Sequence, residues 1–256
     1  MSGAIKVSDL GLESFGEPLN VAVIGSSGGI GGALVHALSG CAGVDRLYAL
    51  SRDGAEPSDN RVIGLRLDVL DEGAIESAAA RIREDGISLN LVIVASGILH
   101  DSGLSPEKTW RAVTRDSMET TFQVNTVGPA LVAKHFLPLL ASDGKAAFAA
   151  LSARVGSIED NRLGGWHSYR ASKAALNMMV KTLSVELARR QPNAICVALH
   201  PGTVDTDLSR PFQSSVPQGN LFTPAQAARN LLQTLDGLGT GDSGHHFAWD
   251  GTRIRA

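Results

Sequence analysis

Short apolar runs rich in valine, isoleucine and leucine alternate along the chain with longer stretches of helical periodicity. A continuous apolar run predicts a strand buried on both faces of a parallel sheet, whereas an apolar position every three to four residues predicts an amphipathic helix. The predicted strands are 20–24, 46–50, 62–67, 91–94, 145–151, 194–199 and a short last strand at 246–249. The predicted helices are one directly after residue 31, 71–83, a region 106–140 that holds two helices, one around 168–179, and 224–235.

This repeated alternation, without a break in composition, predicts one α/β domain: a doubly wound parallel sheet of about seven strands with helices on both faces. We assign the domain to residues 19–256 and interpret residues 1–18 as an N-terminal appendage or short hairpin. Ligands bind such sheets beyond the carboxyl ends of the strands. The residues expected to line one crevice at these ends are the glycine turn after the first strand, Ser51, Arg52, Asp68, Ser96, Gly97, Ser152, Pro201 and Gly202.

The first predicted strand runs directly into the turn 25–31, Gly-Ser-Ser-Gly-Gly-Ile-Gly, which a helix follows. Strand, glycine turn and helix together predict a Rossmann-type dinucleotide site. Gly25 permits the tight turn, Gly29 the close approach of a pyrophosphate and Gly31 close packing of the helix on the strand. The helix N-terminus offers free N–H groups to phosphate. A purely structural glycine turn is the alternative.

The end of the second strand bears on the choice between NAD and NADP. NAD sites of this type carry an acidic residue about 20 residues beyond the glycines, bonded to the ribose 2′-hydroxyl. Ser51 occupies that position and Arg52 follows it. Because a guanidinium can pair bidentately with a 2′-phosphate, the sequence favours NADP(H) over NAD(H). In the alternative interpretation, Arg52 pairs with Asp53 at the surface.

Tyr169 and Lys173 stand four residues apart in a predicted helix and therefore on one face of it. A tyrosine has a pKa near 10, and an adjacent ammonium would lower that pKa. The pair is a candidate general acid–base for a hydroxyl or carbonyl group. Taken alone, the spacing also fits a tyrosine at the edge of the core and a solvated lysine.

Composition and charge exclude several classes of function. The 256 residues carry a net charge of −3 and no basic run, so nucleic acid and anionic membranes are not expected partners. No apolar run approaches about 20 residues, so no membrane span is expected. Cys41 and Cys196 form no metal or disulfide pattern and the histidines form no metal motif, so no metal is expected. Without a signal-peptide core at its start, the chain is expected to be cytoplasmic.

These residues resemble the short-chain dehydrogenase/reductase family over residues 20–250, and in particular its C-factor-type and sniffer-type carbonyl reductase members. The turn 25–31 resembles the family's Thr-Gly-x-x-x-Gly-x-Gly signature, with Ile24 in place of the threonine. Asp68-Val69 resembles the adenine-contacting pair, and Pro201-Gly202 with Thr206 resembles the loop presented to the nicotinamide. Asn125, Tyr169 and Lys173 match three members of the family's Asn-Ser-Tyr-Lys tetrad.

The resemblance implies an NADP-dependent oxidoreductase acting on an aldehyde or ketone, or on the alcohol in reverse. Tyr169 would donate the proton, Lys173 would lower the pKa of Tyr169 and hold the nicotinamide ribose, and Asn125 would anchor a relay water. The implied cofactor-binding residues are Gly25, Ser26, Ser27, Gly29, Ile30, Gly31, Ser51, Arg52, Asp68, Val69, Ala95, Ser96, Gly97, Tyr169, Lys173, Pro201, Gly202, Val204 and Thr206. A homodimer or homotetramer is implied, and the segment 205–221 would set the substrate. Trp166 and His167 either border the substrate or are a packed tryptophan and a solvated histidine.

Two departures from the family pattern affect the site. The family's Asn-Asn-Ala-Gly is here Val94-Ala95-Ser96-Gly97, which predicts altered stability more than lost chemistry. The family's Ser-x-x-Gly, counted back from Gly156, falls on Ala153, while Ser152 lies 27 residues after Asn125, close to the family separation. We predict Ser152 as the catalytic serine, with Ser157 in reserve and a polarising water as a third option. The alternative function is an NAD(P)-binding signalling protein of C-factor type with little turnover.

Overall fold

The computed structural model describes residues 7–10, 12–54, 59–217 and 219–256. Its strands are β1 (Leu19–Ile24), β2 (Val44–Ser51), β3 (Val62–Arg66), β4 (Leu91–Val94), β5 (Ala146–Leu151), β6 (Ala194–His200), β7 (Thr203–Val204), β8 (Leu221–Phe222), β9 (His246–Ala248) and β10 (Arg253–Ile254). Eight of them form one sheet in the order β10-β9-β6-β5-β4-β1-β2-β3, and β7 pairs with β8 separately. All neighbours in the large sheet are parallel except β9 and β10. The predicted doubly wound parallel sheet is therefore confirmed, with β10 added as a short antiparallel edge.

The helices are α1 (Val7–Leu10), α2 (Gly29–Ser39), α3 (Glu72–Glu84), α4 (Arg115–Phe122), α5 (Gly128–Phe136), α6 (His167–Arg190) and α7 (Pro224–Gly237). Alternate side chains of each strand point to opposite faces of the sheet. Both faces therefore carry apolar side chains, and helices cover both of them. Val21 and Val23 of β1 share a buried cluster with α2 and α7. Ala22 and Ile24 belong to the opposite cluster, which α3, α5 and α6 cover.

The prediction of a helical region over residues 106–140 is wrong at its start, because residues 106–114 form no α-helix. The first helix, α4, begins only at Arg115, where the Thr114 side chain accepts a hydrogen bond from Ser117 N and caps the helix. Asn125, inside the predicted helical region, lies in a π turn, Gln123–Val127, that joins α4 to α5. The wider turn belongs to the site described below, and such turns are frequent at functional sites.

The segment before β1 consists of α1 and a 3₁₀ turn, Glu13–Phe15. Leu12 and Phe15 are buried in the cluster beneath α7. Lys145 links this segment to the end of α7. Its ammonium donates to Ser14 Oγ at 2.7 Å and to the carbonyls of Leu235 and Asp236. Residues 1–6 and 11, which the predicted appendage includes, lie outside the described residues. The division into 1–18 and 19–256 stays a prediction.

The strand order reverses its direction between β1 and β4. From β1 the strands β2 and β3 follow toward one edge of the sheet, and from β4 the strands β5 and β6 follow toward the other. Such a switch point opens a crevice at the carboxyl ends of the strands. The β7–β8 pair and a 3₁₀ segment, Arg210–Ser215, follow β6 on this side of the sheet. Within the described ranges, no helix combines the length and the apolar character needed to cross a bilayer.

Candidate active site

The glycine turn after β1 is built so closely that side chains would not fit in it. Gly25 has φ +86°, and a Cβ there would lie 2.8 Å from Ser96 N. A Cβ at Gly31 would lie 2.1 Å from the carbonyl oxygen of Gly25, so the first turn of α2 packs directly on the loop. The N-cap, Gly28, provides no side-chain hydrogen bond to the helix. The first N–H groups of α2 are therefore available to an anion.

A cavity of about 410 Å³, here called the first cavity, lies beside this turn at the switch point. Of the predicted cofactor-binding residues, it is lined by Gly25, Ser27, Ser51, Arg52, Asp68, Val69, Ala95, Ser96 and Gly97. His100 and Asp101 also line it, and sequence reasoning missed both. Ser26 and Gly31 do not line it; Ser26 N bonds the carbonyl of Leu50, and Gly31 packs against the turn.

Ser51 and Asp68 form one end of the first cavity, and the exposed Arg52 lies at that end. No ion pair joins Arg52 to Asp53, both of which belong to the described residues. The competing interpretation of Arg52 therefore finds no support in the structure. The Ser51 side chain accepts a hydrogen bond from Gly54 N, which shapes the backbone next to the guanidinium.

Asn125 is fully buried, and the π turn directs its side chain across the end of β4. Its Oδ1 accepts from Ile98 N and its Nδ2 donates to the Ile98 carbonyl, each at 2.9 Å. Nδ2 also lies 3.2 Å from Ser172 Oγ on α6. Both polar atoms of the Asn125 amide thus have hydrogen-bond partners. The amide links the loop after β4 to the helix that carries Tyr169 and Lys173.

Lys173 is 3% exposed, and its ammonium donates to the carbonyl of Leu151, the last residue of β5, at 2.8 Å. A Cβ at Gly97 would lie 3.6 Å from Lys173 Nζ, which places the lysine against the wall of the first cavity. Lys173 Nζ lies 5.9 Å from the centre of the Tyr169 ring. The two predicted partners are therefore adjacent.

The pKa values of the pair differ from the expectation. Burial raises the pKa of Tyr169 above its usual value instead of lowering it, because little water is left to solvate a phenolate. Burial also lowers the pKa of Lys173 to about 8. The expected lowering of the Tyr169 pKa by Lys173 is therefore wrong for the protein alone. A protonated Tyr169 at neutral pH is suited to giving a proton to a carbonyl oxygen.

The Ser152 hydroxyl donates to Asn177 Oδ1, on the same face of α6 as Tyr169 and Lys173. Ser157 bonds instead to the carbonyl of Ala256 and accepts from Asp160 N, away from Tyr169. The predicted role of Ser152 in polarising a carbonyl stays a prediction, since its hydroxyl proton already has an acceptor. Ala153, which follows it, cannot donate a hydrogen bond from its side chain.

A second cavity, of about 510 Å³, lies on the other side of Tyr169. Of the predicted residues, Ile30, Ser152, Tyr169, Pro201, Gly202, Val204 and Thr206 line it. A Cβ at Gly29 would lie 2.5 Å from Thr206 Cγ2, so the glycine turn and the loop after β6 touch where the two cavities approach. The residues predicted from distant parts of the chain thus form one crevice.

Most of the remaining wall of the second cavity is apolar, and part of it comes from the segment 205–221 that the family resemblance assigned to the substrate. It is formed by Leu99, Val155, Leu163, Trp166, Leu208, Phe212, Val216 and Pro217. The Trp166 ring meets the Tyr169 ring edge-on at 6.2 Å and the Phe212 ring at 5.0 Å. Of the two interpretations of Trp166, the structure supports the one in which its side chain borders the substrate cavity. His167 does not line the second cavity.

Trp166 is held in place by an unusual backbone. It has φ +52°, the one positive φ among non-glycine residues in the described part of the chain, and follows Gly164 and Gly165, which are also left-handed. The buried Glu107 accepts from Ser168 N and Ser168 Oγ, and its carbonyl accepts from Trp166 N. Although burial acts to raise the pKa of Glu107, the bonds from Ser168 hold that pKa below its usual range. An ionised Glu107 thus fixes the start of α6.

The residues missed by sequence reasoning carry only weak local signals. His200 could have been found, because it ends β6 immediately before Pro201 and strand ends line the crevice. Glu107 bonds Ser168 across 61 residues of the chain, and no spacing rule connects such positions.

A dinucleotide fits the residues present. The close-packed glycine cradle and the uncapped N-terminus of α2 form the wall that a pyrophosphate requires, and Arg52, which has no ion pair among the described residues, is exposed beside it. Lys173 and Asn125 border the inner end of the first cavity at Gly97, where the second cavity approaches. The fold and this site define the class: a Rossmann-type enzyme with a tyrosine–lysine pair beside its cofactor cleft.

Comparison with known proteins identifies the family. The family model described as short chain dehydrogenase matches residues 19–216, and the chain belongs to that family of oxidoreductases. It is 31% identical over 236 residues to 1-hydroxy-2-glutathionyl-2-methyl-3-butene dehydrogenase of a Rhodococcus species, covering 92% of this chain and 98% of the relative. It is 37% identical over 137 residues to C-signal of Myxococcus xanthus, covering 54% of this chain and 77% of the relative.

Solved structures give the same result. NADPH-bound carbonyl reductase from chicken fatty liver superposes with a TM-score of 0.81 at 30% identity, covering 94% of this chain and all of the other. Carbonyl reductase Sniffer of D. melanogaster superposes with a TM-score of 0.78 at 27% identity, covering 93% and 99%. The predicted family and its carbonyl reductase-like members are therefore confirmed as the relatives of this chain.

Proposed function

We propose that the chain reduces an aldehyde or ketone to the alcohol with NADPH, reversibly, and that Tyr169 is the proton donor. The observation that carries the proposal is the position of Tyr169. Its ring lines the second cavity, while Lys173, one helical turn away, borders Gly97 of the first cavity. A nicotinamide held in the first cavity and a carbonyl held in the second would then meet at the tyrosine.

NADPH supplies the hydride when bound. The substrate's carbonyl carbon accepts that hydride, the π electron pair of the C=O bond moves to oxygen, and the oxygen takes the proton of Tyr169. The products are the alcohol and NADP⁺, with the tyrosine proton restored from solvent. Lys173 and Asn125 would hold the cofactor ribose and a proton relay at the inner end of the first cavity.

The preference for NADPH over NADH is part of the proposal. Arg52 is exposed beside the first cavity without an ion pair to Asp53, and position 51 offers a serine where NAD sites carry a carboxylate. The chicken carbonyl reductase, which is 30% identical, is described as NADPH-bound. The guanidinium is therefore available to a 2′-phosphate.

The second cavity favours a carbonyl compound with an uncharged, apolar body. Its walls are mainly leucines, valines and the rings of Trp166, Tyr169 and Phe212, and no carboxylate is among the described residues that line it. The one lining cation, Arg154, is paired with Asp160 at 3.2 Å. Burying apolar substrate surface here would contribute about 25 cal/mol per Å². We therefore favour aromatic aldehydes and aryl ketones over charged substrates.

The test is NADPH oxidation against a panel of benzaldehydes, acetophenones, short aliphatic aldehydes and keto acids. The expected result is turnover of the aryl carbonyls and a loss of about a hundredfold or more in Tyr169→Phe, with NADPH affinity retained. Turnover in Tyr169→Phe equal to that of the wild type would contradict the assignment.

A second candidate is the cofactor-binding signalling protein, which the similarity to C-signal favours. An intact set of Tyr169, Lys173 and Asn125 favours the enzyme, because a dinucleotide sensor needs no acid–base tyrosine. Tight NADPH binding without oxidation of NADPH by any carbonyl on the panel would select the sensor.

We also propose a homo-oligomer in the cytoplasm. Met178 and Val185, both on α6, are exposed apolar side chains, as are Met118 on α4 and Val127 in the adjoining π turn. Size-exclusion chromatography with light scattering tests this, and a monomer at micromolar concentration would contradict it.

A further inference from the structure

A carbonyl that accepts hydride develops negative charge on its oxygen, and donors already in place stabilise that charge. Tyr169 is one such donor in the proposed reaction. Several other polar groups that line the second cavity already donate to partners within the protein. Ser152 donates to Asn177, Ser209 to backbone carbonyls of its own loop, and Arg154 to Asp160. The side chain of Ala153 has no hydrogen-bond donor. These groups are therefore not free to donate to a substrate carbonyl.

His200 is different. It lines the second cavity, and its Nδ1 is buried without a hydrogen-bond partner among the described residues, so the ring nitrogen that a substrate could reach is Nε2. A buried polar atom without a partner is costly, and native proteins tolerate few of them away from functional sites.

The strand register places His200 beside the reacting end of the cavity. Ala150 and Leu151 of β5 pair with Ala198 and Leu199 of β6, and Ser152 N continues the ladder to the Leu199 carbonyl. Because side chains alternate along a strand, His200 projects from the same face as Ala198, the face that α6 covers. It therefore stands next to Ser152, beneath the helix that carries Tyr169.

The imidazole is neutral under ordinary conditions. Burial lowers the pKa of His200 to about 4, and the charge of Arg154 acts in the same direction while Asp250 opposes it. A neutral imidazole carries one N–H donor and one acceptor. It can thus donate a hydrogen bond to a carbonyl oxygen without adding a fixed charge to an apolar cavity.

We infer that His200 is a catalytic residue that, together with Tyr169, donates a hydrogen bond to the substrate's carbonyl oxygen, the role that the side chain of Ala153 cannot supply. The inference rests on the proposed carbonyl reduction. His200 keeps its proton throughout, and only Tyr169 transfers one.

The test uses the full chain and four variants. His200→Phe keeps a ring but removes the N–H, His200→Asn keeps a donor, and Ala153→Ser adds a hydroxyl, alone or together with His200→Phe. The exposed His36→Asn on α2 is the matched control. Turnover of an aryl aldehyde, the dissociation constant of NADPH and the thermal midpoint are measured for each.

His200→Phe is expected to lower kcat about a hundredfold, with NADPH affinity near that of the wild type. His200→Asn is expected to retain more activity than His200→Phe, and Ala153→Ser is expected to restore part of the activity of His200→Phe. A second readout is the infrared C=O band of ¹³C-labelled acetophenone bound with NADP⁺, which cannot react. The band should lie at lower frequency in the wild type than in His200→Phe.

Turnover by His200→Phe within threefold of the wild type, with the same infrared band, overturns the inference and leaves the proposed function intact. A comparable loss in Ser152→Ala or Thr203→Val, with His200→Phe unaffected, also overturns it and assigns the donor elsewhere. A wild-type chain that turns over no carbonyl on the panel overturns the proposed function, and the inference fails with it. Should His200→Phe not fold, His200→Asn and Ala153→Ser decide by turnover and by the infrared band.

Discussion

The Ser152 hydroxyl donates a hydrogen bond to Asn177 Oδ1, with 2.7 Å between the two oxygen atoms. Asn177 Nδ2 in turn lies 3.5 Å from His246 Nδ1, so the serine begins a part-buried polar chain beside α6. Burial lowers the pKa of His246 to about 3, so its ring stays neutral. The hydroxyl of Ser152, the residue predicted as the catalytic serine from its separation from Asn125, thus has a structural partner.

Ser152→Ala is therefore expected to affect stability more than turnover. It would leave Oδ1 of the half-buried Asn177 without its donor, at a cost of about 1 kcal/mol in unfolding free energy. Turnover of the folded variant should fall by less than about tenfold, well short of the loss of an oxyanion donor. Chemical denaturation and steady-state kinetics measure the two effects, with Ser157→Ala as the comparison. A hundredfold loss of turnover at unchanged stability would return the catalytic role to Ser152.

Lys173→Met is expected to impair both turnover and NADPH binding, because the ammonium borders the first cavity and lies next to Tyr169. In the free wild-type protein, the pKa of Lys173 of about 8 means that the charge is present below that pH and lost above it. NADPH affinity should therefore decline as the pH rises through about 8, and this pH dependence should disappear in the variant. Lys181→Met, on the exposed side of the same helix, is the control. Loss of turnover with unchanged NADPH affinity would disprove the role of Lys173 in binding the cofactor.

Arg52→Ala is expected to weaken NADPH binding by about tenfold or more and NADH binding little, since a charge-assisted bond to phosphate contributes about 1.5–3 kcal/mol. Asp53→Ala is the matched control, because Asp53 forms no ion pair with Arg52. Fluorescence titration with each cofactor measures the difference. Equal losses for the two cofactors would show that Arg52 does not contact the 2′-phosphate.

Trp166→Ala is expected to raise KM for aryl substrates by about tenfold while changing KM for a short aliphatic aldehyde little, because the indole forms an aromatic wall with Phe212. Trp110→Ala is the control, since Trp110 is 66% exposed and lines neither cavity. A uniform change for both substrates would mean that Trp166 supports the fold and does not select the substrate.

The sheet was predictable because its strands are continuous apolar runs. β4 has the predicted bounds, Leu91–Val94, and the other predicted strands lie within two residues of theirs. The error at 106–114 has a physical cause: Glu107 turns inward to hold the start of α6, and Thr114 then caps α4. Side-chain capping across 61 residues leaves no local pattern in the sequence.

Much of the cofactor side of the site was also predictable, since strand ends and the glycine turn are local features. On the substrate side, the family resemblance pointed to the segment 205–221 and one interpretation of Trp166 placed it there, but His200 was not predicted. His200, Trp166 and Phe212 reach the second cavity from three separate segments, and only the packing of α6 and the loop after β6 brings them together. The raised pKa of Tyr169 likewise follows from burial, which the four-residue spacing to Lys173 does not reveal.

The central claim is that hydride passes from NADPH to a carbonyl carbon while Tyr169 protonates the oxygen. The most direct measurement is mass spectrometry of the alcohol formed from an aryl aldehyde and NADPH deuterated at C4 of the nicotinamide. The account predicts one deuterium on the carbinol carbon with the wild type, and product formation reduced about a hundredfold with Tyr169→Phe. Alcohol without deuterium from either C4 position, or equal product from Tyr169→Phe, would contradict it.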